Sequence, residues 1–311
     1  MTKISIILPA YNEEQTIANT IRSFYTALPS AELWVVNNNS TDNTEAIARE
    51  VIGKLGATGG VIIEPRKGKG NAVRRAFHEI DADIYVLADA DLTYPAERIN
   101  DLIKPILDGR ADMVVGDRHS AGHYQRENKR PLHSFGNRLV QSLVNTLFSA
   151  SLVDIMSGYR SFNRHFVKCY PILVEGFEIE TDMTLHALDK RFRVVEIPVE
   201  YKDRPVGSTS KLNTYRDGAK VIFTIARILR YYRPLAFFGG ASILFCLAGL
   251  LAAVPVFDDW IRERYIYHVP LAILATGLEV VAVLTMGIGL TLDSITDQDK
   301  RNFERDLLNR Q

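Results

Sequence analysis

From Ile4 onward, short apolar runs alternate with longer stretches in which apolar residues recur at helical spacing. Ile4–Leu8 precedes the amphipathic stretch Glu13–Leu28, Leu33–Val36 precedes Asp42–Ile52, Val61–Glu64 precedes Asn71–Ile80, and Ile84–Ala88 closes the series. Short apolar runs bounded by polar loops read as buried strands, and the intervening periodic stretches read as helices. This β-α-β-α-β-α-β order predicts an α/β fold with a mainly parallel sheet covered by helices. Such sheets bind ligands in the crevice outside the carboxyl ends of their strands. The polar loops Tyr11-Asn12-Glu13, Asn37–Asp42, Arg66–Asn71 and Asp89–Asp91 all fall at that edge, so they are expected to converge on one site.

Further on, the strand pattern Met113–Val115 leads into Gly116-Asp117-Arg118 and a polar stretch, His119–His133, which reads equally as a mobile loop over a site or as a solvated connection. A last strand is expected within Arg193–Tyr201. From Thr214 to Tyr232, apolar residues and Arg216, Lys220, Arg227 and Arg230 share a helical period, as in a helix lying on a membrane surface. Leu235–Phe257 carries no charge and, at about 1.5 Å per residue, is long enough for a hydrocarbon core of roughly 30 Å. Val269–Leu292 is a second candidate span. It contains Glu279, which costs on the order of 3 kcal/mol at mid-membrane.

The expected organisation is a catalytic domain over 1–212, an interfacial helix over 213–233, a transmembrane hairpin over 234–292 and a tail over 293–311. Basic residues flank the hairpin on its outer ends: Arg216, Lys220, Arg227, Arg230 and Arg233 before it, and Lys300, Arg301, Arg305 and Arg310 after it. The connecting loop has only Arg262 and Arg264. That asymmetry predicts that both termini are cytoplasmic. The N-terminal apolar run is too short for a signal peptide and enters a strand directly. Small residues four apart, Ala248 with Ala252 and Gly249 with Ala253, would allow close helix approach, either within the hairpin or in a homo-oligomer.

Charge adds little globally. Lys+Arg and Asp+Glu both total 37, so no basic field points to nucleic acid. Cys169 and Cys246 are too few and too distant for a disulfide framework or a zinc cluster, in keeping with a reducing cytosol. The local chemistry is more telling. Asp89 and Asp91 follow an apolar strand, and residues two apart on an extended backbone point the same way. Paired carboxylates of this kind suit a hard divalent cation, Mg²⁺ or Mn²⁺, that keeps phosphate and water ligands and neutralises a diphosphate leaving group. The Gly68-Lys69-Gly70 turn lacks the third glycine of a dinucleotide fingerprint and the spacing of a P-loop; Lys67 and Lys69 either approach a bound nucleotide or sit in a solvated turn.

Leu8-Pro-Ala-Tyr-Asn-Glu-Glu, Asn39-Ser-Thr-Asp-Asn-Thr, Gly68-Lys-Gly-Asn-Ala, Asp89-Ala-Asp-Leu, Gly116-Asp-Arg, Ser157-Gly-Tyr-Arg-Ser-Phe and Tyr201-Lys-Asp-Arg-Pro-Val-Gly occur in this order. Together they resemble family 2 glycosyltransferases of the GT-A fold, and among them the dolichol-phosphate mannose synthase-like enzymes that glycosylate polyprenyl phosphates. The resemblance covers most of residues 4–212. It implies a nucleotide-sugar donor bordered by Pro9, Tyr11, Glu13, Asn38 and Ala90, with metal and diphosphate at Asp89 and Asp91 and a diphosphate-binding arginine at Arg204. It further implies that Arg118, Arg130 and Ser134 cradle the phosphate of a lipid acceptor, with Asp91 and Arg204 central to catalysis and Lys211 adding charge.

Two departures from the family pattern stand out. Asn37-Asn38 replaces the usual Asp-Asp pair after the second strand, and Thr93 stands where some relatives have Gln beside the metal. Glu178, Glu180 and Asp182 are expected on a solvated helix start, although one could face the donor sugar. The implied reaction is attack of a polyprenyl phosphate oxygen on the sugar C1, with inversion. A processive polysaccharide synthase would need a Gln-x-x-Arg-Trp motif, and neither Trp34 nor Trp260 fits one. A nucleotidyltransferase would need a Gly-x-Gly-Thr-Arg start, and a scaffold without activity would tolerate the Asn37-Asn38 change.

Overall fold

The computed structural model describes residues 2–120, 131–176, 178–202 and 224–309, with 131–135, 137 and 309 described by backbone alone. Its contacts divide the chain into two units, residues 1–212 and 213–311.

The first unit is built on a sheet of seven strands: β1 (Ile4–Ala10), β2 (Glu32–Asn37), β3 (Gly59–Ile63), β4 (Ile84–Leu87), β5 (Met113–Asp117), β6 (Arg160–Asn163) and β7 (Val194–Pro198). Their order is β3-β2-β1-β4-β6-β5-β7. All pairings are parallel except those of β6, which runs against β4 and β5. Helices α1 (Ile17–Ala27), α2 (Thr44–Leu55), α3 (Lys69–Glu79), α4 (Ile99–Leu107), α5 (Pro131–Phe148), α6 (Arg164–Cys169) and α7 (Ile179–Asp189) connect them. The predicted mainly parallel α/β sheet is therefore present. Its chain direction switches between β1, which continues outward to β2, and β4, so the loops after β1 and β4 part at that point.

Each element follows from local chemistry. On α1, Ile17, Ile21 and Phe24 are buried at helical spacing against the sheet. Helix α2 ends at Gly56, whose φ of +63° and N–H to the carbonyls of Gly53 and Ile52 form a left-handed cap. Aromatic rings fill the core. Phe77 packs edge-on against Tyr85 and Phe162, and Phe24 against Tyr159.

Strand β6 is absent from the sequence reading because it opens with Arg160. That side chain is nevertheless fully buried. Its guanidinium donates to the carbonyls of Ser157 (2.8 Å) and Ile155 (2.8 Å) and to the Thr184 hydroxyl (2.9 Å). Burial pulls its pKa below the ordinary arginine range. Full hydrogen bonding is what lets such a group sit in a core.

In the second unit, residues 224–232 are helical within the stretch expected to be amphipathic. Two long helices follow: α8 (Pro234–Glu263, 30 residues) and α9 (Val269–Asn309, 41 residues). Both are long and apolar enough to cross a membrane. Leu251, Val254, Ile273 and Val283 are more than half exposed, as expected of helices whose solvent is lipid. Helix α9 runs without a break from the second candidate span through most of the segment expected to be a tail. The helices pack through small and polar residues. Ser242 Oγ donates to the Ala282 carbonyl (2.7 Å), and a Cβ at Gly249 would lie 2.6 Å from Glu279 Oε1. Gly249 is thus used within the hairpin.

Candidate active site

The loops after β1 and β4 are tied together first. The hydroxyls of Thr16 (2.9 Å) and Thr20 (3.0 Å), at the start of α1, both donate to the Ala90 carbonyl between the two aspartates. Thr16 Oγ1 also reaches Glu13 Oε2 (2.7 Å). Asp91 is buried, and its Oδ1 accepts from Thr93 N (3.2 Å) and Thr93 Oγ1 (2.5 Å). Leu92, between them, has φ +63°, a conformation costly for a branched side chain, and it folds Thr93 back onto the carboxylate.

A cavity of ≈ 570 Å³ opens at these loops. Of the residues predicted from sequence, Pro9, Tyr11, Glu13, Asn38, Asp89, Ala90, Asp91 and Arg118 all line it. The volume is within the range of small-molecule sites. Arg204, Arg130 and Lys211 lie outside the described residues, as does the side chain of Ser134, whose backbone is in α5.

For two residues the solvated reading is excluded. Lys69 is not in a solvated turn: it is buried at the start of α3, and its ammonium pairs with both Asp89 and Glu180. Burial disfavours that ammonium, but the two carboxylates outweigh it and hold its pKa above the ordinary lysine range. Glu180 is likewise buried and lines the cavity rather than sitting on a solvated helix start. The glycines flanking Lys69 serve close backbone approach. A Cβ at Gly68 or Gly70 would collide with the carbonyls of Glu175 and Val174 respectively, and Gly70 N donates to the Glu175 carbonyl (2.9 Å).

Sequence reasoning also missed the supports behind the site. A Cβ at Gly158 would lie 2.7 Å from Asp89 Oδ2 and 2.9 Å from Lys69 Nζ, so the glycine of the Ser157-Gly-Tyr-Arg motif makes room for the ion pair. The Tyr94 hydroxyl accepts from Gly158 N (2.9 Å), and burial pushes its pKa up. Asp154, 1% exposed, grips Arg118 through Nε (2.7 Å) and Nη2 (2.9 Å) and also accepts from Arg118 N (3.1 Å). Burial opposes the Asp154 charge, yet the guanidinium prevails and lowers the carboxyl pKa. The Arg118 guanidinium lies 5.5 Å from the Tyr201 ring centroid, within cation–π range.

Asp89 and Asp91 offer hard oxygen donors on one loop facing one cavity. Among the described residues no group of three or more acidic, histidine or cysteine side chains is arranged for a metal. Two carboxylates fit an ion whose other positions go to substrate phosphate and water, as Mg²⁺ and Mn²⁺ prefer.

Residues 5–170, more than half of the chain, match the profile described as Glycosyl transferase family 2. This chain belongs to glycosyl transferase family 2. Family membership makes it a glycosyltransferase of GT-A fold, as its motifs imply. It is similar to glycosyltransferase AglJ of Haloferax volcanii, with 29% identity over 97% of this chain and 96% of that relative. It is also similar to the dolichol-phosphate mannosyltransferase of Pyrococcus furiosus, with 30% identity over 80% of this chain and 68% of that protein. In fold it resembles glucosyl-3-phosphoglycerate synthase from Mycobacterium tuberculosis, crystallised with Mn²⁺, UDP-glucose and phosphoglyceric acid. That likeness has a TM-score of 0.55 and 22% identity, covering 73% of this chain and 79% of the other.

Proposed function

We propose that this family 2 glycosyltransferase transfers one sugar from a nucleoside diphosphate sugar to a polyprenyl phosphate, giving a lipid-linked phosphosugar. One observation carries the reading: a cavity lined by a D-x-D pair and a positioned arginine belongs to a chain that also has two helices of membrane-spanning length and composition. The relative named dolichol-phosphate mannosyltransferase supports a lipid phosphate acceptor. On the donor side, Pro9, Tyr11, Glu13, Asn38 and Ala90 border the nucleotide. Asp89 and Asp91 would hold Mg²⁺ or Mn²⁺, which supplies charge neutralisation for the diphosphate. Arg204 would pair with diphosphate oxygens through its planar guanidinium. Arg118, oriented by Asp154, joins Arg130 and Ser134 at the acceptor phosphate.

A phosphate acceptor is ionised at neutral pH, so no general base is required. One acceptor oxygen bonds to C1 as the C1–O bond to the diphosphate breaks, and the diphosphate departs with the electron pair. Catalysis then rests on positioning and on charge stabilisation at the leaving group. The distribution of basic residues around the hairpin supports a cytoplasmic catalytic unit and cytoplasmic termini, with 1–212, 213–233, 234–292 and 293–311 as catalytic, interfacial, spanning and tail segments. The test is incubation of detergent-extracted protein with UDP-, GDP- and dTDP-sugars, Mn²⁺ or Mg²⁺ and a polyprenyl phosphate, followed by mass spectrometry of the lipid. A mass gain of one sugar is expected; an unmodified lipid with every donor would overturn the reading.

A further inference from the structure

Arg118 is held by a segment with no regular structure of its own. Residues 152–154 run between α5 and β6, and three parts of the catalytic unit meet on them. From α5, Asn145 satisfies both backbone groups of Leu152: its Oδ1 accepts from the N–H (3.0 Å) and its Nδ2 donates to the carbonyl (2.8 Å). Gln141 Nε2 donates to the same carbonyl (2.9 Å). Asp154 carries the grip on Arg118 described above. The third attachment comes from β7, where Glu196 accepts from Val153 N through both oxygens (2.9 and 2.7 Å) and from Asp154 N through Oε1 (2.7 Å). The residue that fixes Arg118 therefore has its own backbone fixed by Glu196.

A carboxylate is disfavoured at this place. Burial pushes the Glu196 pKa up, and the like charges of Asp117 and Asp154 add to it, against the pull of the Asp154 and Val153 N–H groups. What the charged form supplies is two acceptor oxygens and no donor. Glutamine would match its shape, but an amide nitrogen in place of Oε2 would face the Val153 N–H, donor to donor, where the oxygen now accepts at 2.7 Å.

Resting on the acceptor reading above, we infer that Glu196 is a positioning residue for the acceptor phosphate, acting through the backbone of residues 153 and 154 on Arg118. Arg118 lines the cavity and Glu196 does not. Because the same segment is tied to α5, near whose start Ser134 lies, Glu196 also keeps Arg118 in register with that helix. The bonds that hold Ala90 and Asp91 run instead to α1 and to Thr93, so the effect of Glu196 falls on the acceptor and spares the donor.

The experiment measures initial rates of transfer to a polyprenyl phosphate by the full-length protein in detergent with Mn²⁺, varying each substrate in turn. Wild type, Glu196→Gln, Asp154→Asn and the double variant are compared. Glu196→Gln should raise the acceptor KM about five- to tenfold and leave the donor KM and kcat within about twofold of wild type. Glu196→Asp keeps the charge but draws both oxygens back by a methylene, and it should show the same split. Since Glu196 acts through Asp154, adding Glu196→Gln to Asp154→Asn should change the acceptor KM by less than about twofold. Calorimetric titration of farnesyl phosphate into the same proteins reads the loss as Kd, without turnover. An acceptor KM within about twofold of wild type in both Glu196 variants, a donor KM that rises as much as the acceptor KM, or multiplying effects in the double variant would overturn the inference and leave the proposed function intact. A wild type that transfers no sugar to the polyprenyl phosphate overturns both.

Discussion

Replacing Lys69 with Met tests whether the buried ammonium holds the acidic side of the site together. The side chains of Lys69 and Glu180 are each 8% exposed, and that of Asp89 is 29% exposed. Removing the ammonium strands Glu180 as a buried carboxylate, whereas Asp89 can still draw on solvent. Breaking a buried pair from one side costs about 3–5 kcal/mol. At roughly 2–4 °C per kcal/mol for a domain of this size, the unfolding transition should fall by about 6–20 °C. Glu180→Gln removes the stranded charge, so the double variant Lys69→Met/Glu180→Gln should recover at least half of the loss, with a coupling of about 2–3 kcal/mol. The assay is thermal unfolding followed by intrinsic fluorescence in detergent and EDTA, for wild type, both single variants and the double variant. A single variant melting within about 2 °C of wild type, or a double variant as unstable as the sum of the singles, would refute the role given to Lys69.

Other outcomes follow from the supports of the site. Gly158→Ala introduces a Cβ 2.7 Å from Asp89 Oδ2 and 2.9 Å from Lys69 Nζ, so transfer should slow by about 10–100-fold, the Mn²⁺ concentration for half-activation should rise, and the melting temperature should fall as the ion pair is pushed apart. Asp154→Asn loosens Arg118 and should raise the acceptor KM without raising the donor KM, as steady-state kinetics in each substrate will show. Because burial is outweighed by Arg118 and the folded pKa of Asp154 lies below its unfolded value, the stability from this pair is complete above about pH 4. It is lost as pH falls through the folded value, so the gap between wild type and Asp154→Asn should close in acid unfolding curves. NMR of the product from an α-linked donor should show a β-linked phosphosugar; an α product would exclude single displacement.

The first half of the fold was legible because each of β1–β4 is a short apolar run followed by a polar loop and a periodic helix. That grammar placed four loops at one edge, and eight of the predicted site residues do line one cavity. Strand β6 was hidden because its first residue is an arginine whose burial depends on two carbonyls and the Thr184 hydroxyl brought in by tertiary contacts. The place of Lys69 stays open in the sequence for a similar reason. A Gly-Lys-Gly turn looks solvated, and one of its two counter-ions, Glu180, is 111 residues away in sequence. Asn37-Asn38 was visible as a departure, but its logic appears only once the Arg66 carbonyl and the Gly68 N–H are seen to need a donor and an acceptor together.

The most direct test of the central claim is acceptor competition. Detergent-extracted protein, Mn²⁺ and the donor it binds best would be offered matched polyprenol, polyprenyl monophosphate, polyprenyl diphosphate and phosphoglycerate, with initial transfer rates measured for each. Transfer to the monophosphate alone is the predicted result. Comparable transfer to the unphosphorylated polyprenol or to the soluble phosphate ester would contradict an acceptor site built for a lipid phosphate.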